Sequence, residues 1–405
     1  MHLYKTRLHP IRLVTALAAL VLLVLSACSS DDSVSEATDS HSVVVVFRLA
    51  IPRAEAASTR STTESVETGT ELEHRLSNLH VVLYDQQGQF IAQEHGLRII
   101  SASATTSGNY EYTADVEVSM EVPEAYRSTT PFQGELVVYA NTDVPASASY
   151  VATDISGLTY QLSSNTDPDA LPMWGMRTIA TSDNVVLSAG TRNDLTKGTA
   201  IDLMRSVAKV SVDLTQEMID DGWTFEDLNL THYNATGYVL PKGYYTLGSD
   251  NAYSFATATS LMTYTGDNDA RFNPYTVTEN GVATVNSGAL ADLHFNDGTT
   301  ATAGKTLYIP EYDNTTSGVT PATIRIKLMH NGTSEGTTYE LQFAKYSTDP
   351  ANGDTDYDHL VNNSEFNIVR NTWYQYHVYK LSEHKIGVQV TVKPWYYVEH
   401  KQIVM

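Results

Sequence analysis

Gly332-Thr333-Ser334-Glu335-Gly336 has the Gly-x-Ser-x-Gly spacing that can expose a serine nucleophile above a sheet. That chemistry needs a strand-to-helix elbow. Here strand-forming residues stand on both sides, which predicts a hairpin loop between Ile324 to His330 and Thr338 to Tyr346. A second constellation, Asp349, Asn352, Asp354, Asp356 and Asp358, concentrates oxygen ligands of the kind that hold a hard cation such as calcium. It lacks the glycine and terminal glutamate spacing of an EF-hand loop, so a solvated acidic loop is the expectation. The 13 histidines are scattered, with no pair at zinc-ligand spacing beside a third ligand. No catalytic triad or phosphate loop assembles from the remaining residues. The expectation is a non-enzyme with no catalytic residue, no metal and no cofactor.

Bulk properties narrow the class further. At 405 residues the chain exceeds the size at which a single hydrophobic core keeps growing, so two domains are expected. Its 25 Lys and Arg against 47 Asp and Glu give a net charge of -22, which repels phosphate backbones and argues against nucleic acid as a partner. With 25 tyrosines beside abundant Val, Thr and Gly, the composition favours strands over helices.

The one cysteine, Cys28, excludes an internal disulfide. Lys5, Arg7 and Arg12 precede an apolar run from Leu13 to Leu25, the layout of an export signal over residues 1–27. The run is shorter than the roughly 20 apolar residues of a membrane-spanning helix. Leu25-Ser26-Ala27-Cys28 resembles the lipobox of bacterial lipoproteins, which implies a thiol that takes a diacylglycerol and a lipid anchor in the outer membrane. Several acyl chains on one residue give stable anchoring where one would be marginal. Ser29-Ser30-Asp31-Asp32-Ser33 resembles the acidic sorting tract of surface-exposed lipoproteins.

Structure is expected after this tether. From residue 43 the side chains alternate so that Val43, Val45, Phe47, Leu49 and Ile51 share one face of a strand. Loop-like residues follow from Pro52 to Thr70 and carry two basic residues, Arg53 and Arg60. Leu76 to Asp85, a turn with Gly88 and a strand from Phe90 read as a hairpin. Further strands are expected at Tyr110 to Val118, Gly134 to Ala140 and Asn184 to Leu187. A long alternating stretch from Leu203 to Leu214 opens a second block. Strands then recur at Tyr253 to Phe255, Thr306 to Ile309, Ile324 to His330, Tyr339 to Tyr346, Thr372 to Leu381 and Val388 to Val392. Runs of strands without interleaved helices predict an all-β protein of antiparallel sandwiches.

Six segments in order resemble the fimbrillins, subunits of the type V pili of Gram-negative bacteria. They are Arg75 to Asp85, Leu171-Pro172-Met173-Trp174-Gly175, Arg205 to Val212, Leu307-Tyr308-Ile309-Pro310-Glu311, Arg370-Asn371-Thr372-Trp373-Tyr374, and Val388 to Trp395. The resemblance implies two transthyretin-like β-sandwich domains, over 61–200 and 201–394. It also implies a lipidated tether and removable first strand over 28–60, an Arg-specific protease that cuts the loop after that strand, and a candidate donor strand over 395–405. The implied partners are other pilin subunits, joined as a homopolymer in a cell-surface fimbrium that serves adhesion.

The residues fit that mechanism independently. A strand with one wholly apolar face leaves core side chains and backbone groups uncovered if it is removed. Pro394 cannot donate a ladder hydrogen bond and so ends or bends the strand before it. Beyond it stand Trp395, Tyr397, Val398, Ile403 and Val404, too apolar for a free end. Arg60 lies well clear of the first strand and is the favoured cut; Arg53, directly after Pro52, is second. Two other readings stay open: a monomeric surface lipoprotein that binds glycans on its Tyr and Trp side chains, and an anchor or tip subunit of the same pilus.

Overall fold

β-branched and aromatic residues in alternation are realised as strands along most of the chain. The computed structural model describes residues 42–52, 70–104, 110–127, 130–144, 157–242, 245–247, 253–255, 271–286, 289–290, 293–295, 304–347, 359–382 and 385–395. Cys28, Arg53, Arg60, Tyr397, Val398, Ile403, Val404 and the run Asp349 to Asp358 lie outside them.

The first group of strands is β1 (Ser42–Pro52), β2 (Leu79–Asp85), β3 (Phe90–Ala104), β4 (Tyr110–Glu121), β5 (Gly134–Ala140), β6 (Thr159–Gln161), β7 (Met173–Ile179), β8 (Arg192–Asp194), β9 (Ile201–Asp202) and β10 (Met204–Arg205). Eight of them hydrogen-bond in the order β10-β7-β5-β2-β3-β4-β1-β8, with β9 against β1. The fifteen-residue β3 makes this path a sandwich. Phe90, Ala92 and Gln93 pair with β2, and Glu94 onward pairs with β4. A bulge between Glu94 and Gly96 marks the change of partner. The layers enclose one apolar cluster containing Val43, Phe47, Val81, Val116, Val137 and Trp174. Gly175 of β7 lets that strand approach closely, since a Cβ there would sit 2.7 Å from the Asp202 carbonyl oxygen.

The second group is β11 (Ala208–Leu214), β12 (Trp223–Thr231), β13 (Tyr233–Asn234), β14 (Thr236–Tyr238), β15 (Tyr245–Leu247), β16 (Tyr253–Phe255), β17 (Thr276–Glu279), β18 (Val282–Val285), β19 (Ala289–Leu290), β20 (Leu293–His294), β21 (Gly304–Ile309), β22 (Thr323–His330), β23 (Thr333–Gln342), β24 (Ala344–Ser347), β25 (His359–Glu365), β26 (Thr372–Ser382) and β27 (Lys385–Pro394). Two four-stranded sheets, β21-β11-β26-β27 and β20-β12-β22-β23, face each other. Val210, Leu307, Tyr374 and Tyr376 from one meet Phe225, Leu228, Ile326 and Leu341 from the other. This core is separate from the first.

The fold is all-β and built of sandwiches, as expected, with departures that have local causes. The stretch Leu203 to Leu214 is two strands in two different sheets: β10 pairs β7, and β11 pairs β21 and β26. Asn184 to Leu187 forms no strand. Val185 and Leu187 are buried there as irregular chain, and the Val185 carbonyl accepts a hydrogen bond from the Phe132 N–H at 2.6 Å. Pairing is not purely antiparallel, because β1 runs parallel to β8 and β9, and β11 parallel to β26. The expected loop around Ser334 is tighter than the sequence reading. Asn331 and Gly332 both take positive φ, 49° and 78°, which closes a two-residue hairpin between β22 and β23. Ser334 therefore lies in a strand with its hydroxyl on Glu226, and the elbow that a nucleophile needs is absent from it.

Glu135 of β5 supplies a pH test of this packing. Burial pushes its carboxyl up to about 7 against a bond from Thr178, and its Oε2 has no hydrogen-bond partner. The folded protein thus holds this proton to higher pH than the unfolded chain does, and stability falls as pH rises from roughly 4.5 towards 7. Glu135→Gln should remove that fall and raise stability at pH 8 by about 1–3 kcal/mol, read from urea midpoints across the pH series. An unaltered pH profile would show that the carboxyl is solvated.

Candidate functional site

β1 is built for burial on one face. Val43, Val45, Phe47, Leu49 and Ile51 are each at most 1% exposed. Fully burying five such side chains is worth on the order of 10 kcal/mol, an upper figure because the unfolded chain already hides some surface. Their antiparallel partners on β4 are Met120, Val118, Val116, Ala114 and Tyr112. On its other edge β1 is held more thinly. Val44 to Val46 pair with β8, and Leu49 and Ala50 with β9. At the ends of these short runs, Leu195 N–H donates to the Val46 carbonyl at 3.0 Å and Leu203 N–H to the Ala50 carbonyl at 2.8 Å. The buried Asn193 amide donates to the Val44 carbonyl at 3.0 Å.

The outer face of β1 carries charge. Arg48 Nε lies 2.7 Å from Asp115 Oδ1 and its Nη2 3.2 Å from Oδ2, a bidentate pair, and this hydrogen bonding holds the Asp115 carboxyl below its ordinary value. Beside it Glu117 takes Arg98 of β3 at 2.7 Å and Arg192 of β8 at 2.9 Å. β4 thus presents an acidic row that the neighbouring strands answer with arginines. On the β9 side, burial pushes the Asp202 carboxyl up to about 6, with a bond from Tyr110 opposing the shift.

A buried ionic cluster joins the sheets that hold β1 to the second group of strands. Arg205 is 0% exposed; its Nε donates to the Glu73 carbonyl at 3.0 Å, its Nη1 to the Trp395 carbonyl at 3.1 Å, and its Nη2 to the Glu111 carboxylate. Burial lowers this guanidinium to about 10, which leaves it charged at neutral pH. Lys209 Nζ lies 2.7 Å from Glu73 Oε1 and 3.9 Å from the Trp373 ring centroid. Tyr308 donates to the same Glu73 oxygen at 2.8 Å. The alternation of β11, β21 and β26 explains the placement. Val210, Leu307 and Tyr374 face the second core, while Lys209, Tyr308 and Trp373 face the other way.

Of the residues expected to act, the five on β1 are brought onto one buried face. Trp395, expected to open a candidate donor strand over 395–405, is packed within its own chain. It is 1% exposed, its ring lies 4.3 Å from the Arg205 guanidinium and stacks 5.8 Å from Tyr308, and its backbone N–H donates to the Asn371 carbonyl at 2.9 Å. It packs in the core of its own chain because an indole beside a buried cation is well matched there. Glu73, Glu111, Arg205 and Lys209 went unread as a cluster. The available signal was two cations, Arg205 and Lys209, among apolar and small residues from Leu203 to Val212.

Arg205→Met should leave Glu111 buried without its partner and lower stability by about 3–5 kcal/mol in urea unfolding, with Arg205→Met/Glu111→Met recovering much of the loss. Losses in Arg205→Met and Glu111→Met that simply add in the double variant would show that the pair does not interact.

Among the described residues no group of His, Cys, Asp and Glu is placed to hold a metal ion, and no helix is long and apolar enough to cross a membrane. No curated protein matches the chain. Among solved structures it is similar to the tip fimbrial protein Mfa3 from Porphyromonas gingivalis, at 15% identity over 87% of this chain and 100% of that one, with a TM-score of 0.46. It is also similar to the fimbrilin FimA from Porphyromonas gingivalis W83, at 14% identity over 88% of this chain and 98% of that one, with a TM-score of 0.42. The sequence family described as fimbrillin-A associated anchor proteins Mfa1 and Mfa2 matches residues 53–401, from the residue after β1 almost to the end of the sequence. Over that span the chain belongs to the family of fimbrillin-A associated anchor proteins Mfa1 and Mfa2.

Proposed function

We propose that this chain is a fimbrial subunit whose first strand occupies its slot temporarily, and that a strand from another subunit takes its place during assembly. The chain is a cell-surface fimbrial and adhesion component by family, and performs no chemistry in this reading. The observation that carries the proposal is the β1 slot itself. A single strand contributes five fully buried apolar side chains, and the chain immediately after it holds two cuttable arginines, Arg53 and Arg60. An Arg-specific protease cutting there would sever β1 from the remaining fold. The emptied slot would then expose Val116, Val118 and the β4 edge, which only another alternating strand can cover. Export as a precursor lipidated at Cys28 would hold the subunit on the outer membrane until that cut.

The family description favours a second reading, in which the chain anchors the fimbria and keeps β1 uncut. Glycan binding has less support. A cleft of about 360 Å³ is lined by Asn141, Tyr160, Gln161 and Asp169 among others. Asn141 is already committed to Ser77, Arg75 and Leu171, Tyr160 to Ser206, and Gln161 to Thr236.

N-terminal sequencing of the protein taken from the cell surface, together with its polymer state in mild detergent, tests these readings. A start at Ser61 or Ala54 with protein in filaments is the expected outcome. A lipidated Cys28 start within filaments would establish the anchor, and a lipidated Cys28 start with monomers only would overturn strand exchange.

A further inference from the structure

We infer that the β1 slot is made for a strand from a different chain and rejects this chain's own C-terminal segment; the inference rests on the strand-exchange reading above. β1 fixes what the slot demands. Its inward positions, Val43, Val45, Phe47, Leu49 and Ile51, are all apolar and all fully buried, so five consecutive alternate positions admit no polar group. Its outward position opposite Asp115 is a cation, Arg48.

The segment 396–405, Tyr-Tyr-Val-Glu-His-Lys-Gln-Ile-Val-Met, offers two phases. In one, Tyr396, Val398, His400, Gln402 and Val404 point inward. Aligned residue for residue with β1, this phase sets Lys401 opposite Asp115 in the place of Arg48. It also sets His400 and Gln402 in the places of Phe47 and Leu49, at the centre of the core face, and Glu399 opposite Glu117 in the place of Val46. In the other phase Tyr397, Glu399, Lys401, Ile403 and Met405 point inward, burying two opposite charges two positions apart on the same face, where they point the same way with no partner across the sheet. Reversing the strand direction changes neither set, because the period is two. Trp395 cannot be recruited to improve the match, being packed between Arg205 and Tyr308.

Either phase therefore buries two polar side chains where β1 buries none. The slot selects a donor with five alternating apolar residues and a Lys or Arg at the third outward position, facing Asp115. The strand that enters the slot is accordingly not the 396–405 segment of a second copy, and a homopolymer through this segment is disfavoured.

The test uses the full chain from Cys28 onward with a site for an exogenous protease inserted between Arg53 and Arg60. After cutting, fluorescent peptides are offered and their entry is followed by anisotropy and by thermal melting. A peptide of residues 42–52 should enter and restore the uncut melting temperature. The 396–405 peptide should bind at least a hundredfold more weakly, and its His400→Phe/Gln402→Leu form should recover most of that factor. Asp115→Lys should weaken the 42–52 peptide and favour its Arg48→Glu form. Entry of the unaltered 396–405 peptide within tenfold of the 42–52 peptide would overturn the inference. Failure of the 42–52 peptide to enter would instead overturn exchange at the slot, and the inference with it.

Discussion

A sheet layer with one apolar face is stable only while something covers that face, and in this protein β1 lies at the centre of that constraint. Its five inward side chains fill the space against β4 and the opposite layer, and its backbone links β4 to the short runs of β8 and β9. The two edges are unequal. Along β4 the pairing is continuous from Ser42 to Ile51, whereas the opposite edge alternates between brief pairing and single bonds from Leu195, Leu203 and Asn193. A strand so placed is integral to the core, yet its attachment on one edge consists of brief parallel runs. This combination is what the proposed strand exchange requires.

The cluster around Arg205 solves a different problem, that of joining two apolar cores without merging them. Charged groups removed from water are tolerable only when paired and hydrogen-bonded. Here Arg205 is answered by Glu111 and two carbonyls, and Lys209 by Glu73 and the Trp373 ring. The cluster also ties together distant parts of the sequence. Glu73 comes from the short 3-10 helix Glu71–His74 that precedes β2, and Trp395 directly follows β27.

Much of the strand content was legible because its signal is local. Gly134–Ala140 and Tyr253–Phe255 have the expected bounds, and β1 shows the expected face, since alternation over several residues leaves one arrangement with the core side dry. The misreadings fall where tertiary contacts override that period. Val185 and Leu187 read as strand residues, but they are buried as irregular chain beside Phe132. From Leu203 to Leu214 the pattern continues across a change of sheet at Ser206, whose N–H donates to the Pro172 carbonyl at 2.8 Å.

By itself, then, the sequence determined the all-β class, the apolar face of the first strand and the approximate order of the strands, because those follow from side-chain period and composition. Tertiary structure alone decided which strands are parallel, where Arg205 and Lys209 find their anions, and that Trp395 belongs to the core. Those outcomes depend on partners remote in sequence, Glu111 for Arg205 and Glu73 for Lys209, and a one-dimensional pattern contains no information about which distant residues will share one dry space.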